Sequence, residues 1–315
     1  MYINITIYFF FCNIIYIKNM INEISINGWD NKAINTKKVI YPQCNDEGAP
    51  RNYFVALFVG ARGSGKSYLL TKLLKTFEEK KCYKDGEEIV QRIILISPTA
   101  HSDSNLIFKE LKNLDWDIDV LTEYSDEILK EKIQEVKKDI DEAKEYKEYE
   151  KCYKKFKKLS INKLSDEECE LLYKYNFEKF EDIPQPKYPN GFLLHWVIDD
   201  MIGSNIFKNG RSAFTNLVIR NRHIIPGNII IATQSIMQIP KTIRLNSNLI
   251  VLFKFANKKM VLDDIYPTVS AYVTEEKLME LYEYATAEPH NALVIDGTSS
   301  KIIFKKNFDK LLEYE

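Results

Sequence analysis

Eight consecutive residues, Gly60-Ala61-Arg62-Gly63-Ser64-Gly65-Lys66-Ser67, carry the spacing G-x-x-x-x-G-K-[ST], which suits the phosphate chain of a nucleotide. Glycines let successive backbone N–H groups converge on phosphate oxygens, and a following helix N-terminus adds the positive end of its dipole. Lys66 is placed to reach the β- and γ-phosphates, and the Ser67 hydroxyl to ligate Mg²⁺. ATP and Mg²⁺ are the expected ligands. Only 11 glycines occur in 315 residues, so this cluster is not a by-product of a glycine-rich composition.

A second constellation lies more than a hundred residues downstream. The run Val197-Ile198-Asp199-Asp200 ends a stretch of buried-strand character in two acids. Asp199, at the strand's carboxyl end, is expected beside the phosphate loop, holding the Mg²⁺ shell through water. Asp200 is placed to orient or deprotonate an attacking water. The next apolar run delivers Thr233-Gln234-Ser235, where the Gln234 amide can both donate and accept a hydrogen bond.

These residues need a scaffold that collects them at one edge. Residues 53–59, 92–96, 192–198, 228–232 and 249–255 are short apolar runs, and helical stretches alternate with them, among them 67–80 and 213–222. That rhythm predicts parallel βαβ units, hence an α/β fold with a mostly parallel sheet flanked by helices. Residues 292–296 and 301–304 read as a C-terminal β-hairpin around Gly297-Thr298-Ser299-Ser300. Between core strands, residues 125–185 form an insertion dense in Lys and Glu. Ile133, Val136, Ile140, Ala143 and Tyr146 stand there at helical steps, which predicts a solvated helix or helical hairpin. The lysines at 151, 154, 155, 157 and 158 could meet a nucleic-acid backbone, but interleaved acids favour an ordinary solvated face.

Composition narrows the classes. Hydrophobic residues make up 45% and charged residues 28%, the balance of a globular protein with a sizeable core. A formal net charge of −1 excludes a globally basic nucleic-acid binder, so any DNA-binding surface must be local. The five cysteines (Cys12, Cys44, Cys82, Cys152 and Cys169) show no metal-ligand spacing, and their odd number argues against a disulfide framework. Residues 1–50 are expected to be an N-terminal extension and residues 51–315 an ATPase domain. Within the extension, residues 1–19 are apolar and aromatic. They read as over-read upstream sequence before a start at Met20, as a short membrane-associating segment, or as a buried strand.

The phosphate loop, the break at Ser97-Pro98-Thr99, Val197-Ile198-Asp199-Asp200, Arg222-His223 and Ile231-Ala232-Thr233-Gln234-Ser235 occur in an order that resembles the poxvirus-type genome-packaging ATPases of large DNA viruses, in the FtsK/HerA group of P-loop ATPases. The resemblance spans about 53–304. It implies a RecA-like core with an additional strand between the strands of the loop and the acids. It also implies a homo-oligomeric ring driving double-stranded DNA into a capsid, capsid or virion membrane components as partners, and a location in the virion or host cytoplasm. Gln234 then contacts the γ-phosphate or the lytic water. A ring motor also needs a cation aimed at a neighbour's γ-phosphate. Arg211, Arg220, Arg222 and Arg244 lie in the right stretch, with Arg222 the first choice and Arg220 the second. Asp200 departs from the glutamate usual in FtsK and HerA proteins, and the Lys/Glu insertion has no counterpart in the family pattern. A cellular or plasmid translocase of the same group and a non-hydrolysing nucleotide-gated adaptor are the alternatives.

Overall fold

A computed structural model describes residues 42–44, 48–102, 106–112, 116–159, 163–201, 203–207 and 212–313. The calls on residues 1–19, and on Cys12 and Arg211, lie outside the described residues. Residues 40–315 form one compact unit.

The apolar runs become strands of one sheet. In chain order these are β1 (Gln43–Cys44), β2 (Val55–Val59), β3 (Cys82–Lys84), β4 (Glu87–Ile96), β5 (Asp117–Leu121), β6 (Phe192–Asp199), β7 (Gly227–Thr233), β8 (Leu249–Phe253), β9 (Ala292–Asp296), β10 (Ile303–Lys306) and β11 (Lys310–Leu312). The spatial order is β1-β3-β4-β6-β7-β2-β8-β9-β10-β11, with β5 also pairing to β4. The pairs among β5, β4, β6, β7, β2 and β8 are all parallel. The flanking strands β3 and β9 to β11 add on antiparallel. The expected mostly parallel α/β sheet and the C-terminal hairpin are both present, with Phe304 opposite Ile295.

Burial on both faces explains the near-continuous apolar strands. Within β2, Val55, Leu57 and Val59 join one core cluster, while Ala56 and Phe58 join the other, the period-two alternation of a strand. Helix α1 (Lys66–Lys80) covers the second face with Leu69, Leu70, Leu73, Leu74 and Phe77. Helix α2 (Leu106–Lys112) lies on the same face through Ile107 and Leu111. The first face is covered by the long α3 (Asp126–Lys158), which contributes Leu129 and Val136. After α4 (Asp166–Lys174), helix α5 (Ala213–Arg220) adds Phe214, Leu217 and Val218 to that face. Two shorter helices, α6 (Lys241–Asn246) and α7 (Tyr266–Val269), precede α8 (Glu275–Ala285), which adds Leu278, Leu281 and Tyr282.

The structure differs from the sequence expectation in several places, among them the hairpin's second strand, expected over 301–304 and found at Ile303–Lys306, and the unexpected strands β3 and β11. Residues 43–44, expected in an irregular extension, pair with β3 as β1. Strand β5 was not anticipated; its residues Asp117 and Asp119 break the apolar pattern because they face a buried cation. The strand expected over 249–255 ends at Phe253, where Tyr282 Oη takes over Phe253 O at 3.2 Å and Phe255 N at 2.7 Å.

The insertion is helical, as its periodicity predicts. Helix α3 starts at Ser125, whose side chain caps Ile128 N at 3.1 Å. Its far half builds a small core of its own with α4 through Tyr149, Tyr153, Leu172 and Ile183. Arg92 of β4, 1% exposed, ties α3 to the sheet. Its guanidinium meets Asp119 at 3.1 Å, Glu135 at 3.0 Å and Asp139, and lies over the rings of Tyr188 and Phe192. Among the lysines of the insertion, Lys154 pairs with Glu150 at 2.5 Å and Lys155 with Glu168 at 2.6 Å, as a solvated face would.

Candidate nucleotide site

The phosphate loop forms where β2 ends. Gly60 N donates to Thr233 O at 3.2 Å, so the loop leaves the sheet at the level where β7 ends. Gly60 has no room for a side chain: a Cβ there would stand 2.6 Å from Phe253 Cβ. Gly65, at φ 101°, holds a backbone conformation open to glycine and opens α1 at Lys66. The first turn of α1 thus points its free N–H groups into the loop.

Lys66 folds over this loop, donating from Nζ to Gly60 O at 2.7 Å and Ala61 O at 2.9 Å. Burial pushes its pKa below the ordinary lysine value, while Asp199 and Asp200 pull it back. Ser64 Oγ is buried with no hydrogen-bond partner among the described residues. An unpaired buried hydroxyl beside a ring of backbone donors is what a phosphate-binding loop holds ready for its anion. Arg62 is exposed on the loop's outer side.

The acids arrive through β6. Asp199 sits opposite Ala232 of β7, and Thr233 sits opposite Val59 of β2. Asp199 therefore lies two strands from the loop strand, about 10 Å at ordinary strand spacing, a gap that a hydrated cation and a terminal phosphate can fill. Burial raises the Asp199 pKa to about 6, Asp200 adds to the rise, and Lys66 opposes it. A cation at this carboxylate would reverse that penalty, so the buried acid and the Ser67 hydroxyl fit Mg²⁺. Asp200 follows in the left-handed region at φ 54°, a strained backbone that turns it out of the strand and leaves it exposed.

The Thr233-Gln234-Ser235 turn is held from within. Thr233 Oγ1 donates to Ser235 O at 3.0 Å, and Ser235 N donates to Thr233 Oγ1 at 3.2 Å. Gln234, between them, is exposed, with no side-chain hydrogen bond among the described residues. The additional strand is thus β7, lying between β2 and β6 and carrying Gln234 to the same edge as the loop and the acids. The fold is that of a RecA-like P-loop NTPase.

No protein-family model matches the chain, and no curated protein matches it. Among solved structures, the genome packaging NTPase B204 from Sulfolobus turreted icosahedral virus 2, in complex with sulfate, is similar at 15% identity. That match covers 83% of this chain and 98% of that one, with a TM-score of 0.43. The pCW3 conjugation coupling protein TcpA with ATPγS is similar at 14% identity over 88% of this chain and 67% of that one, at 0.41. EssC (ATPases 2 and 3) from Geobacillus thermodenitrificans is similar at 17% identity over 83% of this chain and 39% of that one, at 0.40.

Not every expected residue joins the site. Arg222 is exposed at the opposite, amino end of the sheet, where its guanidinium donates to Tyr53 O at 3.3 Å. Strand β2 separates it from its own loop by about 16 Å at ordinary strand rise. Within its own subunit Arg222 does not reach the phosphate loop. Arg220 is exposed at the end of α5, while Arg244 is held by Asp264 at 3.4 Å. Conversely, the motifs gave no notice of His290, which stands against the loop at Gly65. No local pattern marks it; only the return of β9 beside β8 brings it there.

Among the described residues, no helix is long and apolar enough to cross a membrane.

Proposed function

We propose that this protein is an ATPase that moves double-stranded DNA, working as a genome-packaging motor of a DNA virus. The observation that carries the enzymatic half is the convergence of Lys66, Asp199, Asp200 and Gln234 on one sheet edge, across the additional strand β7. Lys66 and the loop hold the β- and γ-phosphates. Asp199 and Ser67 hold Mg²⁺, which when bound neutralises charge developing on the phosphoryl oxygens. Asp200 takes the proton of the attacking water, and Gln234 positions that water or senses the γ-phosphate. Arg222 serves a neighbouring subunit's site in a ring.

The DNA half rests on the order of the motifs along the chain. That order separates a packaging-type motor from a small-molecule kinase, which would carry an arginine-rich lid where this chain carries the Thr233-Gln234-Ser235 turn. A non-hydrolysing adaptor is disfavoured because both acids are present. Phosphate release measured with and without linear double-stranded DNA tests the proposal. DNA should raise turnover severalfold. Hydrolysis indifferent to DNA would remove the motor, and binding of ATP without turnover, with or without DNA, would favour the adaptor.

A further inference from the structure

The order of strands gives a bound nucleotide a direction. Along the edge formed by the carboxyl ends of the parallel strands come Asp199 after β6, Gln234 after β7, the phosphate loop after β2, and then the ends of β8 and β9. Water attack belongs on the β6–β7 side, because the acids are there. The α-phosphate, ribose and base of a nucleotide must then run the other way, toward β9.

That side is furnished. Strand β9 runs antiparallel to β8 with Ala292 opposite Phe253, so the residues entering β9 return to the same edge as the loop. His290 arrives there at φ 67°. Its backbone is so close that a Cβ on Gly65 would lie 3.1 Å from His290 Cβ and 3.3 Å from His290 O. A cavity of about 470 Å³ opens beside it, lined by the loop from Gly63 to Ser67 together with Tyr68 and His290. Tyr68 directly follows Ser67 on the first turn of α1, one step beyond the β/γ-phosphate residues. It is 64% exposed, although its neighbours Leu69 and Leu70 are buried. Two exposed aromatic side chains thus flank the nucleoside end of the phosphate cradle.

We infer that Tyr68 and His290 form the nucleobase subsite of this protein, holding a purine ring by stacking. The inference rests on the loop being a nucleoside triphosphate site. Flat aromatic faces reward ring area rather than a particular edge. ATP and GTP should therefore bind alike, and pyrimidine triphosphates more weakly.

Titration calorimetry with two probes, ATP and inorganic tripolyphosphate, each with Mg²⁺, tests this directly. Tripolyphosphate reads the loop alone, and ATP reads the loop and the base. Tyr68→Ala and His290→Asn should each weaken ATP roughly tenfold, within the range known for losing one base–aromatic stack, and leave tripolyphosphate within about twofold. Asparagine is chosen at 290 because it tolerates the left-handed backbone. Tyr68→Phe should keep the affinity for ATP. Unchanged ATP binding in both truncating variants, or equal loss for both probes, would overturn the subsite. Binding of neither probe by the unaltered protein would overturn the loop assignment and the subsite with it.

Discussion

Replacing Lys66 by alanine removes the one loop ammonium that can meet the β- and γ-phosphates. A unit charge about 4 Å from a phosphoryl oxygen, at an effective dielectric of about 20, contributes roughly 4 kcal/mol. Part of this is offset. In the free protein Lys66 donates to Gly60 O at 2.7 Å and Ala61 O at 2.9 Å, and those bonds are given up when the ammonium turns to the nucleotide. At about 1 kcal/mol net each, they reduce the gain to roughly 2 kcal/mol, a loss of about thirtyfold in turnover. Lys66 is only half-buried and outside both core clusters, so its thermal midpoint should barely move. The assay is phosphate release under saturating ATP and Mg²⁺, with a melt to show that the variant is folded. A folded Lys66→Ala protein retaining more than about a tenth of the unaltered turnover would refute the loop's role.

Asp200→Asn should still bind ATP and Mg²⁺, since Asp199 remains and asparagine tolerates φ 54°. Turnover should nevertheless stall with ATP bound, by about a hundredfold or more. Normal hydrolysis in a filter-binding and phosphate-release pair would show that Asp200 is not the base. Arg222→Ala should bind ATP normally and fail to hydrolyse it, by about a thousandfold for a finger residue. Mixed with Lys66→Ala subunits it should recover activity, and no recovery in rings shown to hold both subunits would move the role to Arg220. His195 is wholly buried between Gln91 and Asn228, and burial lowers its pKa from 6.5 to about 3. Between those values the unfolded chain binds the extra proton, so stability is highest above pH 6.5 and falls as pH drops toward 3. Denaturant melts at pH 7 and pH 5 should show a loss of about 2 kcal/mol from this group. His195→Gln should lose correspondingly less, and identical pH dependence in the two proteins would reject the assignment.

Much of the site was legible because its chemistry is local. Eight contiguous residues set the loop, and strand, glycine turn and helix follow from one another within about thirty residues. Asp199 and Gln234 were legible for a related reason: each ends an apolar run, and in parallel strands the carboxyl ends share an edge whatever their order. The insertion's helices were readable from their spacing. Strand β5 was not, because Asp117 and Asp119 look like loop residues until Arg92 is seen beneath them.

The sequence by itself determined which groups can act on a phosphate chain: an ammonium, a hydroxyl, two acids and an amide. Short-range covalent spacing dictates the loop, and apolar runs dictate buried strands. Only the tertiary structure decided where these groups stand. It inserted β7 between β2 and β6, left Arg222 at the far end of the sheet from its own loop, and returned β9 so that His290 meets Gly65. Those placements depend on strand pairing between residues far apart in the chain. Pairing is chosen by how whole faces pack rather than by any local pattern, so no window of sequence contains it.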